Sequence, residues 1–336
     1  METVSILIPV YGAEQYIERC SRSLFAQSYP NLEYVFVDDC SPDRSLEVLR
    51  RVMEDYPERK DAVRIVSHAV NRGVAAARNT GLDHVSGAFL FCVDSDDWLE
   101  TDAIQLLVQE QQRTDADLVW GRRLVLFAKE DSLFPEIDYK NKEHLVLQMM
   151  QRTWDHFVTG RLFRRRIFED HQLRWIEGMD IGEDRYIMAL LAYLVQGFTM
   201  VDDLVYHYER RNVGALTSGG DGQKLIRNNQ KELENVLSME LFFLDKEPVY
   251  RQECAACVLE QLQFNLQTAV AFQDRSEYYR MLELIHHRQA RKKGLCSWIK
   301  TRYGYQVMVR QKNRAVRFIR KRYAKAVDSC RSGLSR

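Results

Sequence analysis

The strongest constraint on this chain is a regular alternation of strand-like and helix-like stretches through its first 120 residues, with acidic or polar residues at the strand ends. Val4–Val10 is a compact apolar run, the pattern of a strand buried on both faces. Glu14–Gln27 then sets Tyr16, Ile17, Cys20, Leu24 and Phe25 along one helical face. Leu32–Val37 is the next strand, and Asp43–Asp55 a helix opened by Ser41 as N-cap with Pro42 in its first turn. Strand Val63–Ser67, helix Val74–His84, strand Ala88–Val93, helix Thr101–Arg113 and a short strand Asp117–Gly121 complete the series. The alternation predicts an α/β fold with a mostly parallel sheet covered by helices. Ligands of such sheets sit beyond the carboxyl ends of the strands, where the topology switches.

The polar residues fall at that edge. Tyr11 follows the first strand, Asp38 and Asp39 the second, Asn71-Arg72-Gly73 the third and Asp94–Asp97 the fourth. Carboxylates gathered in one crevice repel one another unless a cation relieves them. Mg²⁺ or Mn²⁺ takes one or two carboxylates and completes its shell with water and substrate phosphate, so the pattern points to a metal–phosphate site. Aspartates are also common turn formers and helix caps, the plainer reading of any one of them. Neither GxGxxG after the first strand nor GxxxxGK[ST] occurs, which argues against dinucleotide-binding enzymes and P-loop NTPases.

The set Ser5-Ile-Leu-Ile-Pro-Val-Tyr11, Val37-Asp-Asp-Cys-Ser-Pro-Asp43, Asn71-Arg-Gly with Ala77-Arg-Asn-Thr-Gly81, and Phe91-Cys-Val-Asp-Ser-Asp-Asp-Trp98 resembles the family 2 glycosyltransferases of bacterial cell-surface polysaccharide type. The likeness returns at Gly182-Glu-Asp-Arg185 and, more weakly, at Tyr206-His-Tyr through Arg211. It implies the GT-A fold and an inverting transfer of sugar from a nucleotide diphosphate donor with Mg²⁺ or Mn²⁺. Carried over position by position, it puts Pro9, Tyr11 and Glu14 beside the nucleotide and Asp39 on the imide N–H of uracil. Asn71, Gly73 and Arg78 line the nucleotide and diphosphate side, Arg78 as a partner for phosphate. Asp94-Ser95-Asp96 is the Asp-x-Asp element, with Asp94 near the ribose and Asp96 on the metal; Asp97 is expected as a helix cap or support behind them.

Inversion requires a base to take the acceptor proton. The family's Glu-Asp pair falls at Glu183-Asp184; Asp184 is expected as base, with Glu183 orienting the acceptor or tuning its neighbour, and Asp180 a weaker competitor. The same pair also suits a helix N-terminus, which favours acidic residues. His207 is a candidate metal ligand, more simply a packed histidine, and Arg211 a candidate phosphate contact. Arg161 and Arg164–Arg166 form a basic cluster suited to an acceptor phosphate or to a solvated face.

Beyond residue 220 helical periodicity continues over Gln223–Phe243 and Cys254–Phe272 without chemical motifs. The expected organisation is 1–220 as the GT-A domain (1–120 nucleotide-sugar half, 121–220 acceptor half), 221–285 as a helical extension and 286–336 as a basic C-terminal segment. A zero net charge hides an asymmetry: from His286 onward there are 16 Lys or Arg against one acidic residue, Asp328, while the rest carries 32 basic and 47 acidic side chains. Val309, Val316, Ile319 and Tyr323 recur among those cations at helical spacing, which suits an anionic membrane surface or packing on the acidic body. Nucleic acid is not expected, since no binding motif accompanies the charge. No run nears the roughly 20 apolar residues of a membrane span, no leader is visible, and seven Cys fit reduced thiols. The expectation is a cytoplasmic enzyme, peripheral on the inner membrane face, that moves sugar from a UDP-sugar to a lipid-linked or surface-polysaccharide glycan. A nucleotidyltransferase, or an idle scaffold on the same fold, remain the alternatives.

Overall fold

The structure is a computed structural model that describes residues 1–127, 130–134, 139–151, 156–179, 181–211, 222–272 and 274–289. Its elements are β1 (Val4–Val10), α1 (Ile17–Phe25), β2 (Leu32–Asp38), α2 (Ser45–Glu54), β3 (Val63–Ser67), α3 (Val74–Leu82), β4 (Phe89–Cys92), β5 (Trp98–Leu99), α4 (Ala103–Thr114) and β6 (Leu118–Leu126). They continue as β7 (Ser132–Leu133), α5 (Lys142–Met150), β8 (Arg161–Arg164), α6 (Arg166–Asp170), α7 (Glu183–Leu194), β9 (Phe198–Glu209), α8 (Gly222–Phe242), α9 (Pro248–Ala271) and α10 (Arg275–Gln289).

The sheet runs β3-β2-β1-β4-β8-β6-β9-β5, with β7 paired to β6. Its first four strands are parallel, as the alternation predicts. From there it becomes mixed: β8 lies antiparallel between β4 and β6, β9 is parallel to β6, and β5 is antiparallel to β9. All seven residues of β1 are buried, which is why it reads as an unbroken apolar run. Ile6 and Ile8 join Leu24, Phe25, Tyr34, Phe36, Leu49, Ile104 and Leu107 in one core cluster. Leu7 faces the other way, where α3 lies so close that a Cβ on Gly81 would fall 2.5 Å from the Leu7 Cγ. The parallel strands thus point their carboxyl ends at one edge, with α3 crossing beneath it.

One start signal differs from expectation. Arg44 stands at the N-cap position of α2 and its side chain makes no cap hydrogen bond. Asp43, one residue earlier, accepts from the Ser45 amide at 3.1 Å, whereas the Ser41 amide donates to Asp38 at 2.9 Å. The Asp43 carboxylate also holds the Glu14 amide at 3.0 Å, so it ties two loops together.

The chain divides into two compact units, Met1–Met149 with Thr153–Ser218, and Met150–Arg152 with Gly219–Arg336. In the second, Leu233, Val236, Met239, Val258 and Leu262 are buried. A polar ladder runs among them: Asn229 donates to Thr268 at 3.0 Å, Asn265 to the Asn229 carbonyl at 2.9 Å, and Gln261 to Asn265 at 2.8 Å. Among the described residues no helix is long and apolar enough to cross a membrane.

Candidate active site

The strand ends build a cleft of about 520 Å³ in the first unit. Pro9, Tyr11, Asp39, Asn71, Gly73, Arg78, Asp94, Ser95, Asp96, Glu183 and Asp184 all line it. The carboxylates anticipated at successive turns therefore share one opening, on the side where β1 hands the chain to β2 in one direction and borders β4 in the other.

Arg78 organises the floor. It rises from α3, is 2% exposed, and its Nη1 donates to Glu183 at 3.0 Å and Asp184 at 2.9 Å while Nη2 donates to Asp94 at 3.0 Å. The arginine expected on phosphate is thus held by three carboxylates from two distant parts of the chain. Burial alone would disfavour its charge, but Asp184, Asp94 and Glu183 outweigh burial and raise its pKa well above the ordinary value.

Glu183 and Asp184 open α7 after Gly182, whose φ of 75° suits glycine. The Asp184 Oδ2 also accepts from the Val158 amide at 3.2 Å. Burial raises the pKa of both carboxyls; Asp184 adds to the rise at Glu183, Asp94 to that at Asp184, and Arg78 opposes both. The two carboxyls, both raised by burial and side by side on one guanidinium, titrate as a pair. A reciprocal pair between Asn79 and the Trp175 backbone, at 2.8 and 2.9 Å, ties α3 to the segment that leads into α7.

Asp97 is fully buried and accepts from the Tyr206 hydroxyl at 2.5 Å and the Glu209 amide at 2.8 Å. It supports the turn from behind by joining β9, and it is not a helix cap. Burial, with Asp96 and Asp94 beside it, pushes its pKa well up. Asp94 and Asp96 both line the cleft as hard oxygen donors, which fits a divalent cation of the Mg²⁺ or Mn²⁺ kind. Among the described residues no three His, Cys, Asp or Glu side chains form a self-sufficient metal cage, so such an ion would draw further ligands from substrate and water.

Asp39 lies at the other end of the cleft, 3% exposed. Its carboxylate accepts from the Arg72 amide at 2.8 Å and the Gly73 amide at 2.7 Å, and pairs with His68 Nδ1 at 2.7 Å. Gly73, with φ of 89°, makes the turn that brings both amides round.

Three expected residues do not line the cleft. Glu14 turns to Arg44, accepting its amide at 3.1 Å and its Nε at 2.9 Å. His207 stacks on Trp98 with ring centroids 4.8 Å apart and meets Glu100 through Nε2 at 2.6 Å, so it sits with the packed aromatics of β5 and β9. Arg211 is paired with Glu209, at 2.8 Å through Nε and 2.6 Å through Nη2. The basic cluster resolves into internal pairs: Arg161 is buried over Trp120, Arg164 holds Asp117 at 2.9 Å, and Arg165 bonds Glu169. Asp180, the weaker candidate base, and the basic segment from residue 290 lie outside the described residues.

Other cleft residues were not anticipated: Glu209, Tyr208, His156, Phe157 and Arg210. Burial works against a charged Glu209, yet hydrogen bonds from Arg211 and Arg19 overcome it and pull its carboxyl down to about 2. The visible signal for it was an acidic residue beside two arginines at the end of a strand-like run.

Residues 5–172, half of the chain, match the family model of Glycosyl transferase family 2. Among curated proteins, the glycosyltransferase GlyA of Streptococcus pneumoniae is 26% identical over 340 residues, covering 94% of this chain and 47% of its own. The protein named glycosyltransferase EpsJ of Bacillus subtilis is 30% identical over 226 residues, covering 64% of this chain and 62% of its own. The chain thus spans only part of these relatives' lengths. Among solved structures, residues 1–349 of S. aureus TarS with UDP-GlcNAc superpose with TM-score 0.62 at 17% identity, over 97% of this chain and 92% of that one. The mannosyltransferase PcManGT of Pyrobaculum calidifontis, solved with GDP-Man and Mn²⁺, gives 0.53 at 18% identity over 94% and 85%. The fold is GT-A, and with its strand-end motifs gathered in one cleft the chain belongs to glycosyl transferase family 2.

Proposed function

We propose that this chain is an inverting glycosyltransferase that moves a sugar from a UDP-sugar to a hydroxyl of a lipid-linked or surface-polysaccharide acceptor. The observation that carries the reading is the joining of Asp94 to Glu183 and Asp184 through buried Arg78, inside the cleft that also holds Asp39. A nucleotide-sugar donor is supported by the related structures, since TarS was solved with UDP-GlcNAc and PcManGT with GDP-Man.

In this reading Asp39 accepts the imide N–H of uracil, and Pro9, Tyr11, Asn71 and Gly73 border the nucleotide. Asp94 and Asp96 would hold a Mg²⁺ or Mn²⁺, whose positive charge would stabilise a diphosphate leaving group. Asp184 takes the acceptor proton, with its other contacts to Arg78 and the Val158 amide fixing its orientation. Glu183 shares the Arg78 guanidinium with Asp184 and orients the acceptor or tunes its neighbour. The basic segment 286–336 is assigned to an anionic membrane surface that bears the acceptor.

The test is metal-dependent release of UDP from a panel of UDP-sugars by the wild type and Asp184→Asn. Asp184→Asn should lower turnover with acceptor by roughly 10²–10⁴-fold, the usual worth of a general base, while UDP affinity stays near wild type. Undiminished turnover would remove Asp184 from the role of base, and release of pyrophosphate in place of UDP would point to nucleotidyl transfer.

A further inference from the structure

One buried contact beside the cleft is used by nothing above. His68, at the end of β3, has a side chain only 6% exposed, with Nδ1 2.7 Å from Asp39 Oδ1 and Nε2 2.8 Å from Thr80 Oγ1. A carboxylate only accepts hydrogen bonds, so Nδ1 carries a proton and donates to Asp39. Nε2 meets the Thr80 hydroxyl, which donates to a neutral ring and accepts from a charged one, so Thr80 holds the ring in place in either state.

Its consequence appears on counting acceptor positions. A carboxylate offers about four lone-pair positions. At Asp39, Oδ1 receives His68 and the Arg72 amide, and Oδ2 receives the Gly73 amide, which leaves one position. Uracil presents a single ring N–H. Guanine presents a ring N–H and an adjacent amino group, which a carboxylate satisfies best with both oxygens side by side. We propose that His68 is a specificity-determining residue: by occupying Oδ1 and fixing the carboxylate plane, it leaves Asp39 a single-acceptor reader that takes uracil and disfavours guanine. The inference rests on the assignment of Asp39 to the nucleobase. Thr80 lies on α3 two residues after Arg78, so the same helix that carries the floor of the cleft also fixes the orientation of the base reader.

The experiment measures dissociation constants of UDP and GDP for the full chain with Mn²⁺ present, by titration calorimetry. The wild type should prefer UDP, and His68→Leu should narrow the UDP-to-GDP ratio by roughly tenfold, the scale of one hydrogen bond to a charged group. His68→Asn, whose amide nitrogen can stand where Nδ1 stands, should restore the ratio. A general loss of stability would not move this ratio. Should His68→Leu fail to fold, Thr80→Val removes only the hydrogen-bond partner of Nε2 and should shift the ratio the same way by a smaller factor. Asp39→Ala separates the two layers of the argument. If it weakens UDP binding while His68→Leu, or Thr80→Val in its place, leaves the ratio unchanged, the role of His68 is overturned. If Asp39→Ala leaves UDP binding unchanged, the assignment of Asp39 itself falls, as it does if the wild type binds GDP as tightly as UDP.

Discussion

At the scale of single residues the site turns on Arg78, the buried cation among Asp94, Glu183 and Asp184. A buried charge left without its partner is far more costly than an exposed one, and here one deletion would strand three carboxylates. Arg78→Met should therefore destabilise the fold by roughly 3–5 kcal/mol in urea titrations at neutral pH. The deficit should shrink on acidification. Carboxyls whose folded pKa lies above the unfolded value are least favourable when charged, so stability returns as pH falls through the folded values, which burial already raises for Glu183 and Asp184. Equal stability of Arg78→Met and wild type across pH would mean that the three carboxylates are balanced by some other group. Residue types and strand ends were enough to nominate Asp39, Asp94, Asp96 and Asp184. They could not say which donor each carboxylate takes, because that depends on contacts between segments 16 to 106 residues apart. Hence the residue types alone do not announce that Arg78 meets three carboxylates or that Glu14 meets Arg44.

At the scale of elements, a strand buried on both faces announces itself: β1 falls on the stretch anticipated for it, since an apolar run between polar turns has few other uses, and β3 does so as well although it is a half-exposed edge strand. The later sheet was less legible. β5 is two residues long, β8 four, and β6 extends to Leu126 through residues of alternating burial, so none of these carries a run strong enough to mark its ends. Elements are also held by side chains that no periodicity reveals. Glu33 on β2 accepts from the Ser5 hydroxyl of β1, from the Ser86 amide and hydroxyl, and from the Gly87 amide at 2.9 Å just before β4. Burial works against its charge, but these donors prevail and hold its carboxyl below the ordinary range. A carboxyl with a lowered folded pKa adds stability above its unfolded value near 4.3, and that stability is lost as pH falls through the folded value. Glu33→Gln should thus lose about 1–3 kcal/mol at neutral pH and approach wild type below about pH 3, read from urea midpoints over that range. A deficit that stays constant with pH would show that shape, and not charge, ties the three strands.

At the scale of the whole molecule, what remains is how charge is distributed along the chain. An acidic body followed by a segment with 16 cations and one anion is balanced in sum and polarised in fact. Among the described residues no helix is long and apolar enough to cross a membrane. The proposed role of residues 286–336 has a direct electrostatic signature. A Lys or Arg near an anionic surface contributes about 1 kcal/mol, and the attraction decays over a Debye length of about 8 Å at physiological salt and about 3 Å at 1 M. The full chain should therefore sediment with phosphatidylglycerol-containing vesicles, not with pure phosphatidylcholine, and should be released by high salt. Changing Arg310, Arg314, Arg317 and Lys321 to Gln should weaken that binding by at least roughly tenfold, with UDP-sugar hydrolysis in solution unaffected. Retained vesicle binding in this variant, or binding indifferent to salt and lipid charge, would overturn the membrane assignment. Absence of binding in the wild type would do so as well, and would favour packing of the segment's apolar stripe on the acidic body.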